Sequence, residues 1–253
     1  MGSPEAAASA SRPRVAVVIP TLDEEVAIRD VLASVPREAV DEIIVADSGS
    51  RDRTVERARA AGARVVVESR RGYGRACATG AAAARDCDII VFLDGDGSDD
   101  PRFIPTLLAP ILAGACDFVV GSRLRGTRER GSMSAHQILA GHLAGWAIRL
   151  LYGVRYTDMC AFRAIRRDAL DRLGMREMTY GWNLEMQMRA ARAGLRIREV
   201  GVAHRRRAGG ASKVSGSLIG TLKASLRIAL TFCRVAFEPR LPRGRLGRGA
   251  TTR

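Results

Sequence analysis

Few folds accommodate a chain in which short β-branched runs keep alternating with longer segments of helical pattern. Residues 15–19, 43–46, 65–67, 89–93 and 118–120 each read as a buried strand, rich in Val and Ile. Between them, residues 24–35, 52–61, 74–84 and 101–112 have the length of crossover helices. Parallel strands need such crossovers, so the alternation predicts an α/β fold, doubly wound around a mostly parallel sheet. With 253 residues and 47% hydrophobic content the chain has material for one complete core, which excludes disorder throughout.

Charge is unevenly placed. The net charge is +14, and from Arg205 onward twelve basic residues face one acid, Glu238, so +11 of it lies in the last 49 residues. A nucleic-acid binder would spread its basic residues over a face or gather them on a reading helix, so no nucleic-acid partner is expected. The five cysteines (Cys77, Cys87, Cys116, Cys160, Cys233) form no CxxC pair and sit in apolar or small-residue stretches, and they read as reduced, buried thiols. Neither a signal-peptide pattern nor an apolar run of about 18 residues is present, so the chain is read as cytoplasmic and non-spanning. Residues 1–13 read as a disordered tail, and 239–253, alternating Arg, Gly and Pro, as a disordered basic one. The histidines (His136, His142, His204) lack the clustering of metal ligands and read as surface or core residues.

In doubly wound sheets ligands collect at the carboxyl ends of the strands. Here those ends are acidic: Asp23-Glu24-Glu25 after the first run, Asp47 after the second, and Asp94-Gly-Asp96-Gly-Ser98-Asp99-Asp100 after the fourth. Asp23 to Glu25 and Asp52 also suit helix starts, where the macrodipole favours carboxylates. The third cluster demands more, because four carboxylates within seven residues repel one another unless a cation or donor array holds them. Hard divalent cations take carboxylate and phosphate oxygens together, so Asp94 and Asp96 read as a bridge from Mg²⁺ or Mn²⁺ to a nucleotide diphosphate. Gly72-Tyr73-Gly74, opening a helix, would let backbone N–H groups approach a phosphate, or is a plain flexible loop.

The ordered set Pro20-Thr21-Leu22-Asp23-Glu24-Glu25, Asp47-Ser48-Gly49-Ser50, Gly72-Tyr73-Gly74, Asp94-Gly95-Asp96 and Gly121-Ser122-Arg123 resembles family 2 glycosyltransferases of the GT-A fold. Asp158 to Arg163, Asn183 to Glu185, and Arg207 with Gly210, Ser212 and Lys213 continue the order of the dolichol-phosphate mannosyltransferase-like, polyprenyl-phosphate glycosyltransferase branch. The resemblance implies a single GT-A (Rossmann-like) domain over 14–214. It implies nucleotide binding by Pro20, Thr21, Asp23, Glu24, Asp47, Gly49, Gly72, Asp94 and Gly95. Asp96, with Asp94, would hold the metal. Arg123 would meet the acceptor phosphate, and Arg207, Ser212 and Lys213 would close over the donor diphosphate. Asp158, Arg163, Trp182 and Glu185 fall on the acceptor side; Trp182 stacks on a sugar or belongs to the core. The branch often carries Gln two residues after the metal Asp, whereas this chain has Ser98 with Asp99 beside it, and Ala161 replaces a common Gly.

The implied reaction moves a hexose, with inversion, from a UDP- or GDP-linked sugar to a polyprenyl phosphate. A phosphate monoester is already an anionic nucleophile and needs positioning, not deprotonation. A hydroxyl acceptor would call for a carboxylate base, with Glu185 and Asp158 as candidates. Alternatives are a soluble acceptor such as a phosphorylated small acid, and a non-catalytic binder of anionic lipid or nucleic acid through the Arg-rich tail. Residues 215–238 read as an amphipathic basic helix with Lys223, Arg227 and Arg234 close together on the wheel. With the apolar segment 138–152 it would dock on the inner face of the cell membrane, each basic residue contributing about 1 kcal/mol. Packing on the sheet or a homodimer interface are the other uses of these helices.

Overall fold

The computed structural model describes residues 12–209 and 218–239. Its strands are β1 (Val15–Thr21), β2 (Glu42–Asp47), β3 (Arg64–Val67), β4 (Ile89–Phe92), β5 (Phe118–Ser122), β6 (Arg163–Arg166) and β7 (Ile197–Gly201). Its helices are α1 (Ile28–Ala33), α2 (Thr54–Ala60), α3 (Tyr73–Ala83), α4 (Ile104–Leu112), α5 (Ala135–Tyr152), α6 (Arg167–Leu173), α7 (Trp182–Arg192) and α8 (Leu218–Phe237). One seven-stranded sheet runs β3-β2-β1-β4-β6-β5-β7. Only β6 is antiparallel to its neighbours, so the other strands end on one edge.

All five expected strands are present, and β6 and β7 are additions. The sequence of β6, Arg-Ala-Ile-Arg, hides a core strand because Arg163 is fully buried. Its guanidinium donates to the carbonyls of Ala161 and Asn183, both at 3.1 Å, and of Cys160, which satisfies a charge placed inside. The β7 strand is a half-buried edge and carries little apolar signal. The first helix is shorter than expected, because residues 24–27 form turns and only Ile28–Ala33 is helical. The α5 helix is fixed at both ends, by a capping box of Ser134 and Gln137 and by the left-handed Gly153.

Every residue of β1 is buried, and α3 lies across β1 and β2. Close approach is possible because the buried face of α3 is built from Gly74, Ala76, Cys77, Gly80 and Ala81. A Cβ at Gly80 would stand 2.4 Å from Val18 Cγ1. Two expectations need correction. Arg12, assigned to the tail, forms a 2.9 Å ion pair with Asp41, so ordered contacts begin before residue 14. Cys233 is exposed, whereas the other four cysteines are buried. Residues 1–11 and 240–253 lie outside the described residues.

Gly80→Val forces a branched side chain into this contact and is expected to destabilise the protein by about 1–3 kcal/mol, read as a lower calorimetric Tm.

Candidate active site

The carboxyl ends of β1, β2, β4 and β5 border a cleft of about 1160 Å³, large enough for a nucleotide sugar and part of an acceptor. Pro20, Thr21, Glu24, Gly72, Asp94, Gly95, Asp96, Ser98, Asp99 and Arg123 all line it. The loops that carry them are stitched together through backbone groups. The N–H groups of Asp23, Glu24 and Glu25 donate to Ser50 Oγ, Thr54 Oγ1 and Asp52 Oδ2 at 2.9, 2.8 and 3.1 Å. In return Arg51 N–H donates to Asp23 Oδ1 at 2.8 Å and Arg53 N–H to Glu25 Oε2 at 3.1 Å. Asp23 stands at φ 51, the only positive φ outside glycine among the described residues. That lattice fixes Glu24 over the cleft while Asp23 is spent holding the loops.

Asp47 also lies behind the cleft wall. The sheet register sets it beside Thr21, whose hydroxyl donates to Oδ1 at 3.2 Å, and Oδ2 accepts from the N–H groups of Gly49 and Ser50 at 2.9 Å each. Gly49, at φ 81, makes that turn. Both are placed in the scaffold under the cleft. Gly72, at φ 153, and Gly74 serve close packing: a Cβ on them would meet the Met178 carbonyl at 2.3 Å and the Glu177 carbonyl at 2.4 Å. The contact brings Tyr73 into line, and its hydroxyl donates to Asp94 Oδ1 at 3.0 Å.

Asp94, Asp96 and Asp99 crowd the loop after β4. Burial, with the charges of Asp96 and Asp99 beside it, pushes the Asp94 carboxyl up to about 8. Such a loop is short of positive charge. Part is supplied by Arg207, whose Nη2 donates to Glu24 Oε1 at 2.7 Å and lies 3.6 Å from Asp96 Oδ2. Glu24 and Asp96, distant in sequence, are thus brought together. The segment carrying Arg207 lies along the acidic loop: Arg205 N–H donates to the Ser98 carbonyl at 2.8 Å and Ala208 N–H to the Asp96 carbonyl at 3.0 Å.

This donor set fits a divalent cation shared with a ligand. Among the described residues no three His, Cys, Asp or Glu side chains close a complete cage. Hard cations at phosphate sites take one or two carboxylates and fill the remaining positions with phosphate oxygens and water, which Asp96 and Asp94 suit.

Arg123, at the end of β5, is aimed by Asp158: Nε and Nη2 each donate to that carboxylate at 2.7 Å. Burial opposes the charge on Asp158, but the hydrogen bonds and charge of Arg123 outweigh it and hold the carboxyl below its usual range. The other acceptor-side expectations are corrected by burial. Arg163 and Glu185 are fully buried, and Glu185 is ion-paired to Arg189 at 2.9 Å and Arg234 at 3.0 Å, so neither reaches the cleft. Trp182 is a core residue packed edge-on against Phe92, with ring centroids 6.3 Å apart. Ser212 and Lys213 lie outside the described residues. His204, read from sequence as a surface or core residue, stands in the cleft wall with Nδ1 3.5 Å from Asp99 Oδ1. Its signal was faint because its neighbour Asp99 lies far away in sequence.

A mostly parallel sheet with an acidic cleft on its carboxyl edge is the architecture of GT-A-like transferases. The chain belongs to glycosyl transferase family 2, whose family model matches residues 16–174. An uncharacterised glycosyltransferase of Mycobacterium bovis is 38% identical over 216 residues, covering 84% of this chain and 94% of its own. The undecaprenyl-phosphate mannosyltransferase of Micrococcus luteus is 33% identical over 225 residues, covering 82% and 90%. Among solved structures, glucosyl-3-phosphoglycerate synthase of Mycobacterium tuberculosis, in complex with Mn²⁺, UDP and glucosyl-3-phosphoglycerate, superposes with a TM-score of 0.70 at 29% identity. That superposition covers 90% of this chain and 81% of the other.

Asp158→Ala leaves the Arg123 charge without its partner and is expected to cost about 3 kcal/mol in denaturant unfolding. Because the folded carboxyl titrates below its unfolded value, this stabilisation is present above the ordinary aspartate range and fades as pH falls through the lower folded-state value. The wild-type and variant unfolding curves should therefore converge in acid.

Proposed function

We propose that the protein transfers a hexose from a nucleotide diphosphate sugar, UDP- or GDP-linked, to a polyprenyl phosphate at the inner membrane surface, with inversion at the anomeric carbon. The observation that carries this reading is the mixed lining of the cleft. It combines carboxylate and arginine, from Glu24, Asp94, Asp96, Arg123 and Arg207, with Tyr180 of the α7 approach and Ile228 of α8. Both are partly exposed large apolar side chains. An anionic head and an isoprenoid tail need those two chemistries side by side. The Micrococcus relative, named for an undecaprenyl-phosphate substrate, favours the same acceptor class.

In this reading Asp96 and Asp94 would hold a Mg²⁺ or Mn²⁺ ion, which would supply charge neutralisation for the departing diphosphate. The Mn²⁺ and UDP in the mycobacterial synthase complex support a divalent cation as cofactor. Glu24, Pro20, Thr21, Gly72 and Gly95 frame the nucleotide over the scaffold of Asp23, Asp47 and Gly49. Arg123, aimed by Asp158, orients the acceptor phosphate. One of its oxygens attacks the anomeric carbon from the face opposite the leaving group; the new C–O bond forms as the bond to the nucleotide diphosphate breaks, the electron pair departing with the β-phosphate. Arg207, with Ser212 and Lys213, stabilises that anion. No protein base enters, in keeping with Glu185 and Asp158 both being tied into buried ion pairs.

A soluble phosphorylated acid is the second reading, favoured by the likeness to the phosphoglycerate-glucosylating synthase. Incubation with labelled nucleotide sugars and polyprenyl phosphate, followed by organic extraction, separates the two. Label is expected in the organic phase, and label that stays wholly aqueous overturns the lipid acceptor. Asp96→Asn should lower turnover by about a hundredfold to a thousandfold, the scale of losing a charge-stabilising group in the transition state.

A further inference from the structure

Two arginines of α8 are tied to carboxylates of the domain. Arg227 and Arg234, both still partly exposed, reach the buried carboxylate of Glu177, at 3.4 and 3.7 Å, and Arg234 also that of Glu185, at 3.0 Å. Thr231 and Val235 are buried on the same side. What α8 presents outward is Leu226, Leu230, Cys233 and Phe237, a spacing of i, i+4, i+7, i+11 that forms one stripe. Beside the two arginines, which the domain's carboxylates hold, α8 thus carries an exposed apolar stripe.

The α5 helix repeats the arrangement. Gly141, Gly145 and Ile148 face inward, Gly145 so tightly that a Cβ would lie 2.2 Å from the Tyr156 carbonyl. Leu139, Leu143, Trp146 and Leu150, again at i, i+4, i+7, i+11, face out, with Trp146 65% exposed. Among the described residues, nine of the thirteen exposed large hydrophobic side chains belong to these two helices. Both helices lead away from the cleft: His136 of α5 and Ile228 of α8 line it, and further along Tyr152 Oη donates to the Val235 carbonyl at 3.5 Å. Exposed apolar surface of this extent marks a docking surface.

We propose that the outer stripes of α5 and α8 form one face that seats on an anionic lipid bilayer, with the cleft opening at its edge. The inference deepens the lipid-acceptor reading and rests on it for its purpose. Charge selects the bilayer over a second copy of the chain. Arg128, Arg130, Arg149 and Arg155, all exposed, flank or end α5, against the single acid Glu129 among residues 126–156. The chain beyond Pro239 adds five arginines and no acid. Two such faces would repel each other, whereas apolar stripes rimmed by arginine match acyl chains under anionic headgroups, with Trp146 at the depth that tryptophan favours.

The full chain carries its own reporters. Trp182 is already buried, so a blue shift of tryptophan emission on vesicles arises from Trp146, and Cys233, the only exposed cysteine, becomes protected from an impermeant maleimide. With phosphatidylglycerol-containing vesicles the protein is expected to float, shift its emission and protect Cys233; with pure phosphatidylcholine it floats less. Leu143→Ser with Leu150→Ser should weaken vesicle binding on the order of tenfold, with an unchanged Tm and unchanged turnover on a short, water-soluble prenyl phosphate. Wild-type protein that stays with the unbound fraction, or whose emission and labelling do not change, overturns the proposal. So does a dimer in sedimentation that the double variant converts to monomer without any vesicle binding. Flotation without organic-phase product keeps the docking face and rejects the lipid acceptor; organic-phase product without flotation does the reverse.

Discussion

Crowded negative charge at one edge of the sheet is the constraint around which the rest is arranged. Six strands point the same way and deliver Glu24, Asp94, Asp96 and Asp99 to one place. Carboxylates so close cannot all stay ionised without compensation, and burial together with the charges of Asp96 and Asp99 raises Asp94 to about 8. Arginines answer it from sequence-distant segments: Arg207 on Glu24 and Asp96, and Arg205 on Asp100 at 2.8 Å. A site that must be neutralised to exist is well prepared for a cation and an anionic diphosphate arriving together.

Positioning is separated from chemistry by one layer. Asp23, Asp47, Asp52 and Asp158 place their oxygens on backbone N–H groups or on arginine, and the side chains they support line the cleft. The same logic explains the glycines. Gly72 and Gly74 admit the backbone of residues 177–178, and that contact sets the Tyr73 hydroxyl on Asp94.

Much of this was legible in the sequence, and the limits have physical causes. Strands buried on both faces announce themselves as Val and Ile runs, so β1, β2, β4 and β5 were evident. The β6 strand was not, because Arg163 reads as a surface residue and is instead satisfied inside by carbonyls. Acid positions after the strands located the site, and motif order singled out Glu24, Asp96, Arg123 and Arg207. Sequence could not separate carboxylates facing the cleft from those behind it, since Asp23 and Glu24 differ only in direction. Nor could it show that His204 meets Asp99, or that Trp182 and Glu185 point into the core, because those pairings exist only after the chain has closed on itself.

The ion pairs from α8 to the domain also decide where this protein can be cut. Glu177 is 2% exposed and Glu185 wholly buried, and Arg227, Arg234 and Thr231, all on α8, supply much of what keeps their charges tolerable. Glu238 at the end of the same helix in turn receives Arg189 at 2.7 Å. Trimming the polypeptide at residue 214 to obtain a minimal catalytic unit would take Arg227, Arg234 and Thr231 away from Glu177 and Glu185 and uncover both carboxylates. The helix is a structural counter-ion of the domain, and the autonomous piece of this protein extends through it.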